Sequence, residues 1–331
     1  GHLQGPLART WVRTEPTRCQ YPPFVRPLLL CLLLAACTPQ EDPPVPLDAN
    51  AFDSERAWED LIHQVQLGPR PAGSPALEET RGWIASELEQ MGLTPIREDF
   101  QADTPFGAFR MANIYADFAT DSAPEGEADI LVLCTHFDTK TLNFRFVGAN
   151  DGASGVAALL ELARVITKQG PRPMTYRFLF LDGEESMRQS WVDPDNTYGS
   201  RHHVEGIALR AENQRVRACV LLDMVADVDL QLTLDTFSHA DLLEVFFEAA
   251  RAGGLGEYVD GPPIPIKDDH LPFQRLKIPA CDLIDFSYGE YNEHWHKASD
   301  LPKNCSEESL GVIGRMVLLG LPVVEQRFKS R

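Results

Sequence analysis

The side chains in this chain that could do chemistry sit in short polar segments, each directly after an apolar run. Ile130 to Cys134 runs into Thr135-His136-Phe137-Asp138, Tyr176 to Leu181 into Asp182-Gly183-Glu184-Glu185, and Cys219 to Leu222 into Asp223. The loop Val147-Gly148-Ala149-Asn150-Asp151-Gly152 puts Asp151 at the start of a helix, and His294, Trp295 and His296 follow Phe286. Where strands run parallel, ligands collect beyond their carboxyl ends, so these groups are expected to face one crevice. Crowded carboxylates cannot all stay ionised at neutral pH without a cation. Histidine and carboxylate ligands without thiolate fit Zn²⁺ in a catalytic site that keeps a position open. In the pair Glu184-Glu185, one carboxylate would ligate and its neighbour would move protons; spacing alone does not say which. Taken singly, Asp151 could be a helix cap, Asp138 a turn residue, and Glu184 and Glu185 a solvated helix start. Their joint position at strand ends favours the metal site.

The elements that must position these residues follow from periodicity. Helical spacing covers Trp58 to Val65, Leu77 to Met91, Ser154 to Ile166, Asp241 to Ala252 and Glu307 to Arg327. Strand-like runs are Ile130 to Cys134, Tyr176 to Leu181, Ala218 to Met224, Leu230 to Leu234 and Ala280 to Phe286. Strands apolar on both faces, alternating with helices, predict a single α/β domain of three α/β/α layers around a mostly parallel sheet.

The chain has 331 residues, 44% of them hydrophobic, which is enough for one large core and excludes disorder as the main state. Asp and Glu number 49 against 30 Lys and Arg, so the net charge of −19 leaves no basic face for a nucleic acid. Leu28 to Ala36 is much shorter than the ~20 residues of a membrane-spanning helix. It follows Arg9, Arg13, Arg18 and Arg26 and ends in Leu34-Ala35-Ala36-Cys37, which reads as a secretory signal. That ending resembles a bacterial lipobox, in which Cys37 would carry the lipid. The expected organisation is a signal peptide over 1–36, a Pro-rich tether over 37–50 and a catalytic domain over 51–331. The protein is expected to be exported, in the periplasm or at the outer membrane, touching membrane only through its anchor, and monomeric. The natural start is expected to lie after Gly1. Cys134, Cys219, Cys281 and Cys305 allow three pairings, but three of them sit in strand-like runs where a buried thiol is the simpler state.

The stretch from Phe180 to His202, FLDGEESMRQSWVDPDNTYGSRH, is the most specific part of the sequence. With THFDTK (135–140), GANDGASGVAALLELAR (148–164), LLDM (221–224), DDHLPF (268–273) and WH (295–296), it resembles the M28-type zinc exopeptidases and, among them, the glutaminyl-peptide cyclotransferases. The resemblance runs from about residue 52 to the C-terminus. It implies a mixed, mostly parallel twisted sheet and one Zn²⁺ held by Asp151, Glu185 and His296. Glu184 would be the general acid/base, Asp223 and Asp269 the acidic pair around the substrate amine, Trp295 a pocket wall and Trp191 its lip. The implied substrates are peptides or proteins with N-terminal glutamine. His136 matches a second-metal ligand of the aminopeptidase relatives, which keeps a two-zinc aminopeptidase as the alternative. A non-catalytic ectodomain on the same fold is the third reading. The loop from Ser287 to Glu293 does not align with the family. His202 and His203 are expected to be structural or exposed, and His270 to support Asp269 or a loop backbone.

Overall fold

The computed structural model describes residues 45–330 apart from 121, 122 and 125, so the expected signal peptide, Cys37 and most of the tether lie outside the described residues. In chain order the elements are α1 (Ser54–Leu67), α2 (Pro75–Gln90), β1 (Ile96–Thr104), β2 (Gly107–Phe118), β3 (Ile130–His136), α3 (Ala153–Lys168), β4 (Thr175–Leu181) and α4 (Tyr198–Leu209). They continue with β5 (Val216–Asp223), β6 (Leu234–Asp235), α5 (Ala240–Ala252), β7 (Pro263–Ile264), α6 (His270–Arg275), β8 (Ala280–Ile284) and α7 (Glu307–Phe328). No helix among the described residues is long and apolar enough to cross a membrane.

Six strands pair in the order β1-β2-β4-β3-β5-β8. The four strands from β4 to β8 are parallel, while β2 pairs antiparallel with β4 and β1 with β2. β3 and β4 are buried at every position, as strands covered on both faces must be. Alternate residues point to opposite faces of a strand, and the sequence divides accordingly. Leu131, Leu133, Phe178, Phe180, Val220 and Leu222 join the core shared with α1, α3, α5 and α7. Val132, Cys134, Leu179, Leu181, Cys219 and Leu221 pack with Val204 and Ile207 of α4 and Phe273 of α6. The four parallel strands between two helical layers are therefore what the hydrophobic pattern required.

The hairpin β1–β2 had no counterpart in the sequence pattern. β1 is an edge strand with alternating exposed and half-buried positions, dominated by Arg97, Glu98, Asp99, Gln101 and Asp103, so no continuous apolar run marks it. Charged edge positions also keep a strand from pairing with other chains. The run Leu230 to Leu234 is a correction. Only Leu234 and Asp235 form a strand, paired with Pro263 and Ile264. Leu230 and Leu232 are buried all the same, because the Asp285 carboxylate and the Tyr258 carbonyl take the N–H groups of Gln231 and Leu232.

Glu98 ties the hairpin to α4. Its Oε2 accepts from His203 Nδ1 at 2.9 Å and from Asn113 Nδ2 at 2.9 Å. Burial disfavours its charge, but the His203 and Asn113 hydrogen bonds outweigh burial and hold it down to about 2. The depressed value means stability that is present above the ordinary Glu pKa of about 4.3 and lost as pH falls towards 2. Glu98→Gln should cost about 1–3 kcal/mol in urea unfolding at pH 7. Its deficit against the parent protein should shrink on acidification between those two values. A deficit independent of pH would mean that the Glu98 charge contributes nothing.

Candidate active site

Every expected ligand lies at the carboxyl edge of the parallel strands. His136 ends β3, Asp223 ends β5, and Glu184 and Glu185 occupy the turn after β4. Asp151 sits in a loop that only glycine permits at two points. Gly148 and Gly152 have φ of +54° and +98°, and a Cβ on Gly152 would come within 2.5 Å of the Asp138 carbonyl oxygen. Beneath this loop the buried Arg70 guanidinium donates to the carbonyls of Phe137, Val147 and Gly148 at 3.0, 2.8 and 3.2 Å. The Asp300 carboxylate accepts the N–H groups of Asn150 at 2.8 Å and Asp151 at 3.1 Å.

Asp138 does for the other loop what Asp300 does for this one. Its oxygens accept the N–H groups of Glu184 at 3.1 Å and Glu185 at 3.3 Å, so it orients the pair and is not itself in a ligand group. The two adjacent glutamates then diverge. Glu185 Oε1 lies 3.1 Å from His296 Nε2, and Asp151 Oδ2 lies 3.3 Å from the same nitrogen. Ligand atoms of Asp151, Glu185 and His296 all fall within 4.8 Å of one another. Glu184 joins no ligand group but lines the neighbouring cavity. A second group shares Asp151: His136 Nε2 is 3.1 Å from Asp223 Oδ1 and 3.4 Å from Asp151 Oδ1.

The electrostatics call for a cation. Asp151 is held well below the ordinary range, since the neighbouring imidazoles of His136 and His296 override its burial. Burial alone would lower His296, yet Glu185 and Asp151 take it up to about 9. Asp223 and the hydrogen bonds to Asp138 and Asp151 likewise raise the buried His136 well above its usual value. Two imidazoles must be charged to balance the carboxylates when nothing else does. Asp151 Oδ2 is also buried without a hydrogen-bond partner. One imidazole nitrogen and two carboxylates, with an orphaned oxygen aimed between them, fit zinc.

A cavity of about 370 Å³ opens beside this cluster. Asp151, Glu184, Asp223, Asp268 and His296 supply its polar side, and Trp191, Phe237, Phe286 and Trp295 its aromatic walls. Trp295 stacks on His296 with centroids 4.1 Å apart, and Phe286 meets Trp295 edge-on at 5.1 Å. His296 takes the left-handed backbone conformation, φ 52°, a strained choice for a non-glycine residue that sets both rings.

The structure corrects one expected site residue by a single position. Asp268 lines the cavity, whereas Asp269 is fully buried and accepts from Ser200 Oγ. The short helix α6 begins immediately after Asp269, so the two neighbours point in different directions. His270 is corrected too: it faces Asp235 at 3.3 Å rather than supporting Asp269. Sequence reasoning missed Arg70, Asp300 and Lys140. Lys140 Nζ lies 3.2 Å from Glu185 Oε2 and donates to Ser186 Oγ; its only signal was its place at the end of THFDTK. His202 stacks on Phe100 and His203 is buried against Glu98, both away from the ligand groups. His294 bonds Ser299 at 3.0 Å. Cys134, Cys219, Cys281 and Cys305 are all buried free thiols.

The profile of peptidase family M28 matches residues 113–320, which include all of these ligands. The chain belongs to peptidase family M28. This M28 chain is 28% identical over 308 residues to the glutaminyl-peptide cyclotransferase-like protein of Mus musculus, covering 83% of this chain and 77% of that one. Among solved structures it is similar to an Acidobacteriales bacterium glutaminyl cyclase, with 29% identity, TM-score 0.79 and coverage of 87% and 98%. The Porphyromonas gingivalis glutaminyl cyclase aligns at 27% identity and TM-score 0.73, covering 82% of this chain and 98% of the other.

Groups that orient ligands typically contribute about 10–100-fold to metal affinity. In this M28 chain Asp300→Asn should weaken zinc by about that factor, while Glu185→Gln should abolish tight binding, both read by competition with a chromogenic chelator. Unchanged affinity in Asp300→Asn would mean that the glycines and Arg70 position Asp151 on their own.

Proposed function

We propose that this chain is a glutaminyl-peptide cyclotransferase, converting the N-terminal glutamine of peptides or proteins to pyroglutamate with release of ammonia. The observation that carries this is Glu184: a buried carboxylate on the wall of an aromatic cavity, beside the Asp151, Glu185 and His296 group but not in it. Kinship with proteins named as glutaminyl cyclases supports the same reading.

One zinc ion at Asp151, Glu185 and His296 would supply Lewis acidity to the side-chain amide of the substrate. The remaining work falls to the protein. Asp223 and Asp268 face the cavity and attract the substrate's α-ammonium group. Once the ammonium has released one proton to the medium, its lone pair attacks the side-chain amide carbon, and Glu184 takes a second proton from the same nitrogen as the bond forms. The new C–N bond closes the five-membered ring, the old one breaks, and Glu184 returns the proton to the departing ammonia. Burial, with Asp268, Glu185 and Asp269 nearby, pushes Glu184 well above the usual carboxylate range against the pull of His136, which suits a group that must both accept and release a proton near neutral pH. Trp191, Phe286 and Trp295 fold the glutamine side chain back towards its amine, a conformation that an unheld chain samples rarely. No water molecule takes part.

A two-zinc aminopeptidase is the second reading, favoured by the group His136, Asp151 and Asp223. The pattern of residues 28–37 further supports an exported enzyme tethered to lipid through Cys37.

With a glutamine-initiated peptide the expected product is lighter by one ammonia, and free glutamine would instead favour the second reading. Glu184→Gln should lower kcat about 10²–10⁴-fold with zinc still bound. Asp268→Asn should lower kcat/KM, whereas Asp269→Asn should act mainly on stability. If only the Asp269 variant lost catalytic efficiency, the assignment of the two acids would be reversed.

A further inference from the structure

A second set of metal-ligating side chains lies outside the active site. Asp235 of β6, His270 at the start of α6 and Asp282 in the middle of β8 bring one ligand atom each within 4.8 Å of one another. His270 Nε2 is 3.3 Å from Asp235 Oδ2. His270 and Asp282 are fully buried and Asp235 is 2% exposed. Neither ring nitrogen of His270 has a hydrogen-bond partner, and neither does either carboxylate oxygen of Asp282. A buried polar group left unpaired costs about 1–3 kcal/mol, and here four such atoms belong to two side chains that face each other.

The surroundings are built as they are around metal ligands, whose carboxylates are themselves hydrogen-bonded into place. Asp235 Oδ1 accepts the N–H groups of Phe237 and Ile266, each at 2.9 Å. Ser238 Oγ donates to Asp235 Oδ2 at 2.7 Å and accepts the Asp282 N–H at 2.8 Å. Phe237, Ile266 and Ile284, which flank these residues in sequence, line the substrate cavity.

We propose that Asp235, His270 and Asp282 hold a structural divalent cation, zinc by the donor set, which braces the cavity wall from behind. One nitrogen and carboxylate oxygens without thiolate suit zinc better than calcium, which takes six to eight oxygens. Both Asp282 oxygens are free, so a bidentate carboxylate would complete four donors. The ion ties β6, α6 and β8 together and satisfies three of the four orphaned atoms at once, since an imidazole offers one ion only one of its nitrogens. It is independent of which reaction the first site performs.

The test strips the full-length protein with a chelator, refills it with zinc, removes excess and counts bound zinc by native mass spectrometry. Asp282→Asn and His270→Gln should each hold one zinc fewer than the parent, and Glu185→Gln should lose a different one. In the Glu185→Gln background, zinc should still raise the melting temperature, and adding Asp282→Asn should remove that rise. Equal zinc counts in the parent, Asp282→Asn and His270→Gln proteins would overturn the proposal and leave Asp282 as a protonated acid. Should those variants fail to fold, anomalous scattering at the zinc edge from crystals of the unmodified protein decides. A peak between the three side chains supports the site, and its absence overturns it.

Discussion

The constraint on which the rest of this molecule depends is the shared carboxylate of Asp151. One oxygen faces His136 and the other His296, so two potential ion sites meet on a single side chain buried at the edge of a parallel sheet. A buried anion is stable only when paired or coordinated. Much of the surrounding structure serves that requirement. Glycines admit the tight loop, Arg70 collects its carbonyls, and Asp300 takes the N–H of Asp151 itself.

The same device recurs on the opposite loop. Asp138 receives two consecutive N–H groups, and this fixed peptide geometry makes Glu184 and Glu185 part company. Adjacent residues of one chemical type thereby acquire different work, one among the ligands and the other on the cavity wall. Lys140 completes the arrangement by offering a charge to Glu185 from behind. None of these supporting groups touches the cavity, yet they decide where its polar atoms point.

Much of the site was legible in the sequence because ligands sit where apolar runs stop, and strand ends are easily read from hydropathy. Glu185 follows closely on an apolar run and Asp151 opens a helix, but it was the family resemblance that singled these two out together with His296. The central strands were equally visible, since full burial on both faces leaves an unbroken apolar signature. What stayed hidden lacked that signature. β1 is a charged edge strand, the Leu230 to Leu234 run is buried without forming a strand, and Arg70 and Asp300 act through backbone groups that hydropathy does not record. The confusion of Asp268 with Asp269 has a similar root: neighbours of identical type differ only through the helix that begins after them.

Trp295 and His296 are consecutive, and their rings stack across a backbone held at positive φ. The surface that would choose a side chain and the nitrogen that would grip an ion are therefore one covalent piece. Selectivity and ion retention cannot drift apart over generations by separate small steps in this loop. Remodelling of the pocket is more freely accommodated across the cavity, at Trp191, where the wall has no ligand for a neighbour.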